Sequence, residues 1–492
     1  MEPLIGGRKK VKERIKSFIL ILLVLCSVGL TSVTWVEERL WPEGYSLFAN
    51  FKTLPIIRNF FGEMYSEPLE NLKKARKIVI ADGNGKSSVF YNSDKAFDDV
   101  YSDIGTLING FMSGEIPVSE QSLLTRENLR QMLNEQVMYA YVSYPVASTP
   151  QLFGRLMGVS DSESLSGVSA VRDFFILPTG SESLELLAVD YEGTGVYRYE
   201  LSYGGTDRLI SSFTSYVANV DPEHNCMLAL EMNLDIADGN EAVKMKTVLD
   251  SFLVLDSAST ATNKRPEITG HNPLGADSGA AERAIERFGY NPESIHRYVD
   301  GEGTRVYLEN DSMLKIYKNG IIEYEATDPE HGILLSGDGS LYESLNSAIR
   351  FAGDVYSSSS GADFKVNVSG DLLYEPSGVM TFVFDYYFSG TPVTADISLG
   401  TEKMEHAIEI TVRGGYITKF KMLVREYEET GNDVDMMTVY EAIDKIALMY
   451  SESTEPIHVA DIFMSYAEDG KSGIVSPVWT GYADGGRIII RN

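Results

Sequence analysis

The chain has 492 residues, with 42 Lys and Arg against 71 Asp and Glu, for a formal net charge of −29. So acidic a protein is excluded from nucleic-acid binding and is repelled by anionic lipid and anionic wall polymer. With 43% hydrophobic and 11% aromatic residues it is too apolar to be disordered, so the acid lies on folded surfaces.

Residues 1–16 form a basic tail, with Arg8, Lys9, Lys10, Lys12, Arg14 and Lys16 against Glu2 and Glu13. Nineteen uncharged residues follow, Phe18 to Val36. As a helix rising about 1.5 Å per residue they span roughly 28 Å, the hydrocarbon thickness of a bilayer. A single transmembrane helix is therefore expected over 17–36, with the cationic tail cytoplasmic and the remaining bulk extracytoplasmic. No small-residue cleavage site follows the apolar run, and Leu25 rather than a small residue precedes Cys26, so the span is expected to stay uncleaved and unlipidated. Trp35 and Trp41 fall where an outer aromatic belt belongs. Ser27, Gly29, Thr31 and Ser32 make the outer half of the span a candidate partner-helix contact, because small residues let backbones approach closely in lipid. A homodimer through the same face is a second arrangement these residues allow.

Beyond the anchor, 257–280 and 357–361 read as linkers rich in Ser, Thr, Asn, Gly and Pro. They divide the chain into an N-terminal extracytoplasmic α+β domain at 42–256, a central sheet-and-helix domain at 281–356 and a C-terminal sheet-and-helix domain at 362–492. Only Cys226 lies outside the span besides Cys26 within it, so no intramolecular disulfide can hold the fold. A cysteine-poor ectodomain fits a bacterial surface.

In chain order, the spacing of Leu123, Leu124, Leu129, Met132, Leu133, Val137 and Ala140 predicts a helix over 120–142. Alternation around a Gly-Thr-Gly turn predicts a hairpin over 184–203. Three short strands are predicted in 304–326, with Asn319-Gly320 as a two-residue turn that needs positive φ at both positions. An apolar stripe from Leu341 to Val355 predicts a covering helix. The same plan follows in the last third: strands at 379–388, 406–413 and 416–427, a helix from Met436 to Tyr450, then strands at 458–467 and 473–482. Strands followed by a covering helix, twice, read as a repeated sheet-plus-helix module.

Chemistry is sought in vain. Asp82-Gly83-Asn84-Gly85-Lys86-Ser87 follows an apolar strand like a phosphate loop, but Ile80 stands where the pattern needs Gly, so a hairpin turn is expected. Ser312 with Lys315, Ser344-Leu345-Asn346 and Lys471-Ser472-Gly473 mimic the motifs of penicillin-binding enzymes. Ser312 begins an alternating strand, however, which would point Ser312 and Lys315 to opposite faces. The six histidines show no metal-binding spacing, and the repeated Asp-Pro-Glu-His at 221–224 and 328–331 reads as N-cap and N1 chemistry at two polar turns. No catalytic residue, cofactor or metal site is expected.

Glu13, Lys16-Ser17, Ser27, Leu30-Thr31 and Trp35 resemble the opening of the YycH (WalH) family. The resemblance continues through Phe288-Gly289-Tyr290, Arg297-Tyr298, Val306-Tyr307, Leu314-Lys315-Ile316 and Asn319-Gly320-Ile321-Ile322-Glu323-Tyr324. It closes with Ile462-Phe463-Met464-Ser465-Tyr466 and Pro477-Val478-Trp479. It implies a membrane-anchored, non-enzymatic accessory regulator of the WalK/WalR (YycG/YycF) two-component system, which governs cell-wall metabolism in low-GC Gram-positive bacteria. The implied partners are a WalK-like sensor histidine kinase and a YycI-like anchored protein. Two other classes remain as alternatives: an enzyme acting on cell-wall polymer, which calls for a cleft with clustered perturbed groups, and an anchored binding module for a secreted ligand, which calls for a pocket between domains.

Overall fold

The computed structural model describes residues 67–491 apart from short segments, of which 230–246, 257–263 and 452–456 are the longest. The anchor expected over 17–36, with Ser27, Gly29, Thr31 and Ser32, lies outside the described residues. Among the described residues no helix is long and apolar enough to cross a membrane.

The first half builds a sheet from β1 (Lys77–Asp82), β2 (Ser87–Tyr91), β3 (Val118–Thr125), β4 (Met138–Ser148), β5 (Val171–Pro178), β6 (Ser183–Asp190) and β7 (Gly195–Ser202). Their spatial order is β2-β1-β4-β5-β6-β7-β3, antiparallel throughout. Strand alternation sorts its side chains into two cores. Ile78, Ile80, Phe174 and Ile176 face the helices Phe97–Met112 and Thr206–Asn219. Val79, Ala81, Phe175 and Leu177 face Leu129 and Leu133 of the helix Arg126–Asn134. A sheet covered on both sides explains why β1 and β5 read as nearly unbroken apolar runs.

The helix predicted over 120–142 is instead the strand β3, a short helix and the start of β4. Thr125 and Asn128 form a capping box that starts the helix at Arg126, and only Leu129 and Leu133 of that helix are buried. Leu123 stays 64% exposed on the edge strand, so its helical spacing to the others carries no packing. The hairpin predicted over 184–203 is present as β6 and β7 in register.

Three short strands follow: β8 (Cys226–Leu228), β9 (Thr247–Leu249) and β10 (Val254–Asp256). The segment around β10 ties the halves together. Phe252 and Val254 enter the core of the first sheet, while Leu253 and Leu255 enter a core beneath the last strands.

The second half carries β11 (Lys264–His271), β12 (His296–Val299), β13 (Arg305–Glu309), β14 (Ser312–Ile316), β15 (Ile321–Ala326), β16 (Ile333–Leu334), β17 (Val366–Val368), β18 (Val379–Phe388), β19 (Thr391–Ala395), β20 (Ile397–Leu399), β21 (Glu402–Met404), β22 (Ile408–Arg413), β23 (Tyr416–Leu423), β24 (Glu426–Asp435), β25 (Ile457–Glu468), β26 (Ile474–Val475), β27 (Pro477–Ala483) and β28 (Gly486–Ile490). One sheet runs β12-β13-β14-β15-β23-β22-β18-β19-β25-β27-β28. Because β15 pairs with β23, segments 281–356 and 362–492 contribute to the same sheet. The predicted helices appear as Leu341–Ser359 and Val439–Met449, and each covers a different core of this sheet.

Both expected linkers are partly regular structure. Residues 264–271 form β11, which pairs with β24 and β26. Ile268 is its one buried apolar side chain, so the pairing rests on main-chain bonds that leave no hydrophobic period to read. Ser357, Ser358 and Ser359 close the helix Leu341–Ser359, and the hydroxyls of the last two donate to the Val355 carbonyl at 2.8 Å each. The β14–β15 turn also departs from expectation. Gly320 alone takes positive φ, at 85°, and its N–H donates to the Tyr317 carbonyl at 2.9 Å. This is a three-residue connection with a glycine bulge. The two-residue turn with positive φ at both positions occurs instead at Gly414-Gly415, between β22 and β23.

Phe288, Phe351 and Phe420 meet edge to face at 5.3–5.4 Å, joining the helix Ser278–Arg287, the helix Leu341–Ser359 and β23. Truncating Phe288→Ala should cost about 3–5 kcal/mol, and a shift of the urea midpoint with an unchanged slope would confirm it.

Candidate functional site

The two sheets leave between them a cleft of about 830 Å³. Its floor comes from the first sheet and its opposite wall from β17, β18, β25 and β27. Charge gathers here because two strands are bulged. Arg172 and Asp173 of β5 together oppose Val189 of β6, and Ala460 is the extra residue beside Asp461 of β25. A bulge re-aims side chains that regular alternation would distribute otherwise.

The charges are paired across and along the cleft. Arg76 donates to Asp461 at 2.8 Å, bridging the two sheets. Arg172 donates to Asp173 at 3.1 Å, and the Tyr141 hydroxyl donates to the other oxygen of Asp173 at 2.9 Å. The Arg172 guanidinium also stacks 4.9 Å from the Tyr191 ring centre. On the opposite wall Asp385 holds His406 Nδ1 at 3.0 Å and accepts the Ala407 N–H at 3.0 Å.

Burial opposes ionisation of Asp461, but Arg76, Lys77 and Arg172 outweigh it and hold that carboxyl well below the ordinary range. Burial likewise disfavours charge on Asp385 and His406. Each outweighs that penalty for the other, lowering the carboxyl and raising the imidazole.

Lys77 differs from the rest. It opens β1 on the face of Val79 and stands in register with Ser143 of β4, which in turn stands opposite Asp173 of β5. Its side chain is 6% exposed and lines the cleft. Burial, aided by Arg76 and Arg172 and opposed by Asp461 and Asp173, lowers its pKa to about 8.

Sequence reasoning missed this cluster. A signal was present: Arg172-Asp173, Asp385 and Asp461 are each a charge set inside an otherwise apolar strand, whereas Lys77 only ends the basic run Lys73-Lys74-Ala75-Arg76. The motifs singled out earlier lie elsewhere. Residues 82–87 are the β1–β2 turn, where Asp82 Oδ1 accepts the Asn84 and Lys86 N–H groups. Ser312 opens β14 and its hydroxyl meets that of Tyr290 at 2.7 Å, while Lys315 points to Glu323 at 3.4 Å. Ser344 sits on the helix Leu341–Ser359, and Lys471 is outside the described residues. Pro329 starts a 3₁₀ turn as expected, but Asp328 makes no side-chain cap. The Asp221-Pro222-Glu223 copy is outside the described residues. Among the described residues no group of three or more His, Cys, Asp and Glu could hold a metal.

No family model matches the chain, and no curated protein matches it. Among solved structures it is similar to the crystal structure of YycH from Bacillus subtilis, with a TM-score of 0.51 and 11% identity, over 86% of this chain and 97% of that one. The fold is therefore YycH-like.

A lysine whose folded pKa lies below its unfolded value, here about 8 against 10.5, opposes folding while it is charged. Stability should therefore rise as pH climbs from about 8 to 10.5. Replacing Lys77→Met should remove that rise and stabilise the protein at pH 7 by on the order of 2 kcal/mol. Urea unfolding of the two forms across this window measures the difference.

Proposed function

We propose that this chain is a membrane-anchored, extracytoplasmic regulator of a sensor histidine kinase controlling cell-wall metabolism, and that it works by contact rather than catalysis. The observation that carries the reading is the YycH-like fold spanning 86% of the chain, joined by the resemblance of Glu13 to Trp35 to that family's opening. Its partners are a WalK-like kinase and a YycI-like anchored protein. The basic 1–16 tail stays in the cytoplasm and the acidic bulk hangs outside the membrane.

The mechanism needs no reaction step. A lateral contact that favours one kinase state by roughly 1–3 kcal/mol shifts its equilibrium about 5- to 150-fold. Ser27, Gly29, Thr31 and Ser32 supply a face on which a partner helix can pack closely. The helix cores and paired charges of the ectodomain then serve to hold a second contact surface rigidly.

Membrane pull-down of the kinase tests this, comparing the native 18–36 segment with a poly-Leu replacement. Kinase recovery should drop at least fivefold with poly-Leu. Equal recovery from both would rule out contact through the helix, and failure to recover a kinase from either would reject the function.

A further inference from the structure

We infer that β3, the outer strand of the first sheet, is a docking edge for an extended cationic segment of a partner protein, which adds to the sheet as a further strand. The first support is that this edge is long and open. The two large sheets end in β2, β3, β12 and β28, of five, eight, four and five residues. A bridge from Ser88 to Asn225 partly closes β2, and β28 buries Ile488 and Ile490 in the core that holds Val439 and Ile446. Among the described residues β3 pairs with β7 alone, and five of its eight side chains from Val118 to Leu123 and at Thr125 lie in the open apart from Ser122 and Leu124. Natural sheets guard an open edge with Lys, Pro, bulges or short length. β3 holds neither Lys nor Pro, and its one irregularity comes at its start, between Val118 and Glu120.

The second support is a row of carboxylates that runs out to this edge. Glu185 of β6 stands opposite Glu200 of β7, and Glu200 stands opposite Glu120 of β3. Like charges directly opposite one another weaken a sheet. Arg198 answers the inner two, donating to Glu185 at 2.5 Å and to Glu200 at 2.8 Å. Even so, Glu185 keeps its second oxygen buried without a hydrogen-bond partner. Glu120 acts on Arg198 through space and makes no hydrogen bond to it. A strand laid against β3 sets one side chain beside Glu120 on the same face, and Lys or Arg there supplies the opposite charge to the row. A second copy of β3 has no Lys or Arg to offer. The net charge of −29 favours a partner of the same positive sign.

The third support is Leu123, 64% exposed on the other face of the strand. An apolar side chain opposite it would bury it. Glu120 and Leu123 are three positions apart, so an antiparallel partner carries its apolar residue three positions ahead of its cation. Main-chain bonds then give affinity, and these two side chains give selectivity. The inference goes beyond the kinase reading and does not rest on it, because it concerns the ectodomain edge and not the membrane span.

Fluorescence anisotropy tests it, with the full-length chain in zwitterionic micelles and labelled Ac-Thr-Val-Ile-Thr-Thr-Lys-Thr-amide as the probe. The probe should bind one to one. Glu in place of its Lys, or Ser in place of its Ile, should each weaken binding about fivefold. N-methylation of every amide from its Val to its Lys should abolish binding by removing the main-chain donors. Glu120→Lys in the chain should reverse the order, so that the Glu peptide binds better than the Lys peptide, with the urea midpoint unchanged because Glu120 is exposed. Equal binding of the two peptides, an unchanged order in Glu120→Lys, binding that survives N-methylation or no binding of the probe would each overturn the proposal. Sedimentation showing a dimer of the chain that Leu123→Lys dissolves would give the edge to a second copy and overturn it as well.

Discussion

Arg76 and Asp461 meet at 2.8 Å across the seam between the two sheets, and the charge state of the whole cleft follows from that contact. Asp461 remains ionised despite burial because Arg76 lies against it, with Lys77 and Arg172 adding to the field. Were Asp461 neutral, Arg76, Lys77 and Arg172 would lose the carboxylate they share. With it charged, Arg76 is paired and the field of its neighbours is offset. Breaking a half-buried pair leaves a charge short of its partner, so losing either side chain alone destabilises the seam. The seam is thereby fixed in charge as well as in shape.

Shape at the seam comes from the two-residue period of strands. Phe252 and Val254 feed the core of the first sheet, and the residues between and after them feed the core below β25 and β27. One extended segment thus belongs to two cores, and neither can repack without disturbing the other. Hydrogen bonds reinforce the link: the Leu372 N–H donates to the Ala147 carbonyl at 2.7 Å, and the Asp371 carboxylate accepts the Ala147 N–H at 3.0 Å. The cleft lies beside these ties, which makes its floor and its wall parts of one framework.

Much of the second half was legible because its strands expose one face and bury the other. VMTFVFDYYF at 379–388 and IIEYEA at 321–326 appear as strands at or near the expected bounds, and the helices beginning at Leu341 and Val439 follow their apolar stripes. The first half was harder to read for the opposite reason. Its sheet is covered on both faces, so β4 and β5 carry little alternation, and the order of its strands is set by long-range pairing that local pattern does not encode. The cleft was illegible for a third reason. Lys77 and Asp461 are nearly four hundred positions apart, and what brings their charges together is a bulge whose only sequence trace is an out-of-place Asp in an apolar strand.

The charge of the whole chain bears on what such a cleft can recognise. A protein at −29 repels anions at long range, so a ligand bearing one negative charge gains nothing on approach. At physiological salt, however, the field of exposed acids decays over about 8 Å, whereas charges inside a cleft are poorly screened. The paired charges of the cleft therefore act on one another more strongly than the exposed acids act at a distance.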